Sequence, residues 1–186
     1  EFYEMVNTLK KELSYTCPDN VNFKNDLAIS YQFLGNTQSQ LGNLKKAFEY
    51  YNQDFTIKKD LSGAFPNNAD FKNGLAISFQ YLGITIASLG NLNKALECYN
   101  SAFLIRKELS EAYPNNLDFK IGLAFSYQYL GNTYSSAGDT DKALEFYEKY
   151  NALKKELYEA YPNHTNFKNG LAISYQYLGN TYRSMG

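Results

Sequence analysis

His164 is the only histidine in 186 residues, and that count restricts the chemistry open to this chain. A histidine-based proton relay or zinc pair needs a second imidazole. Cys17 and Cys98 are the only thiols, too few and too far apart in sequence for a zinc site or a disulfide framework. Cys98 falls at 48-residue intervals from Tyr50 and Phe146, so it reads as an apolar packing position. His164 falls in the same way from Asn20, Asn68 and Asn116, which places it in an exposed turn. No catalytic set, metal site or cofactor is expected, and the chain reads as non-enzymatic.

Two other residue types recur at the same interval. Lysines form one ladder at Lys24, Lys72, Lys120 and Lys168, and a second at Lys11, Lys59, Lys107 and Lys155 beside Glu12, Asp60, Glu108 and Glu156. Alternating sign reads as a solvated face whose charges offset one another. An anionic ligand lying across the lysines is the alternative. Amides form a third ladder. On a helical wheel Asn25, Gln32, Asn36 and Ser39 share one stripe. The stripe returns as Asn73, Gln80, Ile84 and Ala87, then Ile121, Gln128, Asn132 and Ser135, then Asn169, Gln176, Asn180 and Arg183. An amide carries both donors and acceptors, which suits the backbone of an extended peptide.

The elements that position these side chains follow from the repeat itself. Leu27 to Gly35 returns from Leu75 to Gly83, from Leu123 to Gly131 and from Leu171 to Gly179, and all four prolines keep the register. Such a period marks one supersecondary unit stacked on copies of itself. Each unit has two helical patterns. Helix A is expected from a cap at Asn22, Asp70, Asp118 or Asn166 to a glycine at Gly42, Gly90, Gly138 or Gly186. Helix B runs from Asn43, Asn91 or Asp139 to just before the next proline. Phe23, Leu27, Tyr31, Leu34 and Leu41 share the apolar side of helix A, while Ala47, Tyr51, Lys58 and Leu61 recur in helix B. Tyr31, Phe79, Tyr127 and Tyr175 are expected in the core. Phe33, Tyr81, Tyr129 and Tyr177 are expected to flank the amide stripe. Mid-helix glycine costs ~1 kcal/mol against alanine, so Gly35, Gly83, Gly131 and Gly179 point to close helix approach, shared with Ala28, Ala47 and their counterparts.

The A–B junction resembles a tetratricopeptide repeat. One copy reads Phe79, Leu82-Gly83, Ile86, Gly90, Ala95, Tyr99, Ala102, and the next reads Tyr127, Leu130-Gly131, Tyr134, Gly138, Ala143, Tyr147. The usual period is ~34, so each unit here carries about 14 extra residues, read as about two added turns at the end of helix B and two at the start of helix A. Asp54 and Tyr150 stand where the family favours a small residue. The resemblance implies an all-α solenoid of antiparallel helix pairs wound as a right-handed superhelix, with the amide stripe of helix A lining the concave groove. One array is expected: a partial repeat over 1–21, repeats over 22–69, 70–117 and 118–165, and a partial repeat over 166–186. The expected peptide-contacting residues are Asn25, Gln32, Asn36, Asn73, Gln80, Gln128, Asn132, Asn169, Gln176 and Asn180. A terminal-carboxylate clamp is not expected, since Arg183 is the stripe's only cation.

The leading function is therefore a protein- or peptide-binding scaffold. The alternatives are a sensor or regulatory array of a larger effector, such as a signalling ATPase or caspase-like protease, and a self-assembling structural solenoid. Lys+Arg of 18 against Asp+Glu of 19 gives a net charge of -1, which argues against a nucleic-acid sleeve. No apolar run reaches the ~18 residues of a membrane span, and the free cysteines suggest a reducing, cytoplasmic setting. Glu1 aligns inside helix B and Gly186 aligns with Gly138. The sequence is thus expected to be a piece of a longer array, or to pack its last helix on another chain, with end-to-end self-association through the terminal helices.

Overall fold

A computed structural model describes residues 1–186. It contains eight α-helices: α1 Phe2–Thr16, α2 Val21–Gln40, α3 Leu44–Ala64, α4 Ala69–Ser88, α5 Leu92–Ala112, α6 Leu117–Ser136, α7 Thr140–Ala160 and α8 Thr165–Met185. The even-numbered helices are the A helices and the odd-numbered are the B helices. A helices start at 21, 69, 117 and 165, and complete B helices at 44, 92 and 140. The fold is all-α, and consecutive helices pack in chain order as in a solenoid.

The chain divides into two compact units, Glu1–Ile105 and Arg106–Gly186. In the first, α1 packs on α2, α2 on α3, and α3 on α4. Contacts from α3 to α2 run Tyr51 to Asn36 and Lys58 to Asn25, so one residue number rises as the other falls. The pair is antiparallel, as three-residue links require. In the second unit α6 packs on α7 and α7 on α8.

The turn glycines behave as expected. Gly42, Gly90 and Gly138 have φ of 76°, 87° and 81°. Around the first, the Gly42 amide donates to the Ser39 carbonyl and that of Asn43 to the Gln38 carbonyl, the paired bonds that close a helix end through a left-handed residue. Asp139 and Asn91 then accept from the amides of Lys142 and Lys94.

The A-helix caps lie two residues earlier than expected. The N-caps are Asn20, Asn68, Asn116 and His164, not Asn22, Asp70, Asp118 and Asn166. The chain turns tightly after each proline and enters the helix at once. The earlier side-chain oxygen is then the one within reach of the free amides: Asn68 accepts from Phe71 and Asn116 from Phe119. Asp70 and Asp118 fall instead in the first turn, where a carboxylate complements the positive end of the helix. His164 caps α8 without a side-chain bond and stacks on Phe167 at 4.2 Å between centroids. His164→Asn is therefore expected to stabilise the chain by about 1 kcal/mol; a melting temperature that stays the same or falls would show that the stacking contributes as much as a cap.

The core follows the small residues. Ala28, Ala47, Ala76, Ala95, Ala124 and Ala143 are fully buried. Two expectations fail. Tyr31, Phe79 and Tyr127 are half-buried, and Tyr175 on α8 is 54% exposed. Leu41 is exposed because it is the C-cap residue, already outside the packed turns. Asp54 and Tyr150, the departures from small residues, are both buried.

Candidate functional site

The mid-helix glycines are seats for tyrosines of the following B helix. A Cβ on Gly35 would lie 2.5 Å from the Tyr51 ring, one on Gly83 2.6 Å from Tyr99, and one on Gly131 2.6 Å from Tyr147. No side chain fits there. On its other face the seated ring carries an aromatic from the next A helix: Tyr81 stacks on Tyr51 at 5.0 Å and Tyr177 on Tyr147 at 4.7 Å. Burial is the main cause that pushes the phenols of Tyr51 and Tyr147 up to about 12, so both stay protonated and act as donors.

Those phenols meet the amide stripe. Tyr51 Oη donates to Asn36 Oδ1 at 2.8 Å, and Tyr147 Oη donates to Asn132 Oδ1 at 2.9 Å. Each bond holds the amide oxygen and leaves its NH2 without a partner in the chain. The other stripe residues differ. Asn25 accepts from Lys58 Nζ at 2.9 Å. Gln128 Nε2 donates to Tyr177 Oη at 2.9 Å, linking α6 to α8. Gln80 Oε1 is buried without a partner. Gln32 and Asn73 are half-buried. On α8, Asn169, Gln176 and Asn180 are exposed, and Asn180 Oδ1 accepts from Arg183 at 3.3 Å. None of the amides bonds to another amide.

Sequence reasoning placed Lys58 among the recurring residues of helix B but missed its burial and its counterparts Arg106 and Lys154. Lys58, Arg106 and Lys154 are buried at equivalent positions of the B helices, with Gly74, Gly122 and Gly170 against them. A Cβ on Gly74 would lie 3.1 Å from Lys58 Nζ. Lys58 has Asn25 and the nearby Asp54, whose Oδ2 accepts from Ser78 at 2.5 Å. Burial raises the Asp54 carboxyl from 3.8 to about 6 and lowers Lys58. Arg106 Nη1 donates to Ser126 at 3.2 Å, its Nε is buried without a partner, and burial brings it down to about 10. Lys154 meets no acceptor. Its position opposite Asn25 is taken by Ile121 and that of Asp54 by Tyr150, so the ammonium lies over the Phe125 and Tyr150 rings at 5.4 and 5.3 Å. Recurrence of a cation sixteen residues before a glycine was the available signal.

The lysine ladder at the start of helix A is partly clasped. Lys120 pairs with Glu156 at 2.5 Å. In the first unit Lys24 and Asp60 instead line a cleft of about 460 Å³ walled by Val21, Leu27, Ile57 and Leu61.

No three His, Cys, Asp or Glu side chains converge, and no helix is long and apolar enough to cross a membrane. Sequence profiles described as the tetratricopeptide repeat match residues 74–156 and 28–60. No curated protein matches the sequence. Among solved structures, the crystal structure of BtubC (BKLC) from P. vanneervenii is similar, with a TM-score of 0.71 and 20% identity over 100% of this chain and 67% of that one. At that identity the likeness concerns the fold alone. Repeat profiles, seated tyrosines and chain-order helix packing lead to one statement: the chain belongs to the tetratricopeptide repeat family.

Proposed function

We propose that this chain is a non-enzymatic scaffold that binds an extended peptide along its A helices through the amide stripe. Tetratricopeptide repeats in general suggest protein-interaction scaffolds without catalytic activity. The finer reading rests on one observation: Asn36 and Asn132 have their oxygens held by Tyr51 and Tyr147 while their NH2 groups have no partner. A fixed, unpaired donor loses little freedom when it meets a peptide carbonyl, which favours binding. Gln32, Asn73 and Gln80 extend the stripe in the first unit. Asn169, Gln176 and Asn180 extend it in the second.

The test separates the held oxygen from the free donor. Asn132→Asp keeps an acceptor for Tyr147 but removes the NH2. For peptides selected on the wild-type chain from a random library, affinity is expected to fall about tenfold, as for loss of one hydrogen bond of roughly 1.4 kcal/mol. The melting temperature should hardly change. Unchanged affinity for every selected peptide would move the binding surface away from the stripe.

A further inference from the structure

Lys58 and Lys154 stand at one register of the B helices, each 7% exposed, and only Lys58 has a carboxylate beside it. Burial lowers Lys58, and the Asp54 charge acts against that shift. Burial lowers Lys154 too, with no acid near enough to oppose it. Tyr150 replaces the carboxylate, and Ile121 replaces the amide that receives Lys58. The same comparison shows that the surroundings of Lys154 are complete. Lys58 meets Asn25 of α2, Asp54 of α3 and Gly74 of α4, and α6, α7 and α8 supply those three places around Lys154.

The ammonium reaches the amide stripe. Its Nζ lies 5.4 Å from the centre of the Phe125 ring. Phe125 follows Ile121 by four residues and precedes Gln128 by three, spacings that put it on the stripe's face of α6. That ring is 40% exposed. On the other side, a Cβ on Gly170 would lie 3.4 Å from Nζ, and the stripe residue Asn169 immediately precedes that glycine. The charge therefore stands between the stripe residues of two successive A helices.

The fold has already taken this ammonium out of most of its water, a cost that no counter-charge in the chain offsets. The Phe125 and Tyr150 rings attract the charge but accept no conventional hydrogen bond, so its three N–H donors stay unclaimed. A ligand carboxylate that meets it bears only its own desolvation, and salt screens such a partly buried pair weakly.

We propose that Lys154 binds a carboxylate of the extended peptide, which rests on the scaffold reading and adds a charge preference to it. A peptide that follows the stripe from α6 to α8 passes this level in mid-chain, so an acidic side chain is the expected source. Lys58, already beside Asp54, gives the first unit no such preference.

Peptides selected on the wild-type chain from a random library test this. They are expected to carry Asp or Glu, and changing that residue to Asn or Gln should lower affinity about tenfold, as for one charge-assisted hydrogen bond. On Lys154→Met the same change should have no effect. Ile121→Asn keeps the lysine but offers it an acceptor from the position of Asn25, and should shrink the difference. If amidating the peptide's C-terminus carries the loss instead, the site holds and its carboxylate is a chain end. Peptides that need no carboxylate overturn the proposal. So does an acid-to-amide loss that persists on Lys154→Met. Asn132→Asp keeps the two readings apart: peptides that it weakens, but that show no carboxylate dependence, leave the scaffold standing and remove this site alone. A library that yields no binder overturns both.

Discussion

Gly83→Val is expected to lower the melting temperature by roughly 10 °C, corresponding to a loss of about 3 kcal/mol at the upper end of overpacking costs. The new Cβ would lie 2.6, 2.8 and 3.0 Å from three atoms of the Tyr99 ring, and that ring is 4% exposed. Either the ring leaves its seat or α4 and α5 separate locally. Helix propensity opposes this effect, since valine is better than glycine in a helix by a few tenths of a kcal/mol. The molecule contains its own control. Gly179 occupies the same place in the repeat with open space before it in these 186 residues, so Gly179→Val in this chain should leave stability unchanged or slightly raised. Equal effects from both substitutions would mean that the glycines are kept for some reason other than the tyrosine seat.

Lys58→Met should cost about 1–3 kcal/mol at pH 8, the range for leaving a buried polar group without its partner. It leaves Asp54, which has no exposed surface, with Ser78 as its hydrogen-bond donor. The pH dependence identifies the cause. In the native chain Asp54 titrates near 6, above its ordinary 3.8. Folding then takes up a proton between those values, so the contribution of this carboxyl is fully present below 3.8 and is lost as pH rises through about 6. Lys58 pulls the carboxyl down; without it the folded value climbs further and the loss continues to higher pH. Chemical denaturation at pH 5 and pH 8 should therefore show a larger penalty at pH 8. A penalty equal at both would assign the loss to packing of the lysine stem. Lys154→Met provides the contrast: Tyr150 replaces the carboxylate, so removing that ammonium strands no charge and should be neutral or stabilising.

These comparisons show which parts of the architecture can be read without coordinates. The helix pairs were legible because Gly42, Gly90 and Gly138 mark a backbone state that other residues avoid, and because proline follows each B helix. The start of helix A was misplaced because Asn20 and Asn22 are both good caps, and only the backbone path after Pro18 decides between them. The need for glycine at Gly35, Gly83 and Gly131 was visible in the repeat, but not its cause, since Tyr51, Tyr99 and Tyr147 lie sixteen residues away on another helix. Of the amide stripe, residue types and spacing were legible. That a phenol holds Asn36 and Asn132 was not, because a helical wheel describes one helix at a time. The burial of Lys58, Arg106 and Lys154 was missed because a charge in a helical pattern reads as a solvated side chain unless the facing residue is known.

Packing mainly between helices adjacent along the chain has a mechanical consequence. A sheet whose strands pair across long loops holds until many bonds shear together. Here a pull on the two termini meets one helix contact after another, each closed by residues less than about one repeat apart. α1, with no buried residue, should peel first, and each released repeat of 48 residues would lengthen the chain by roughly 150 Å at full extension. The protein should therefore yield to force in steps and re-form them in reverse order, behaving as a compliant tether.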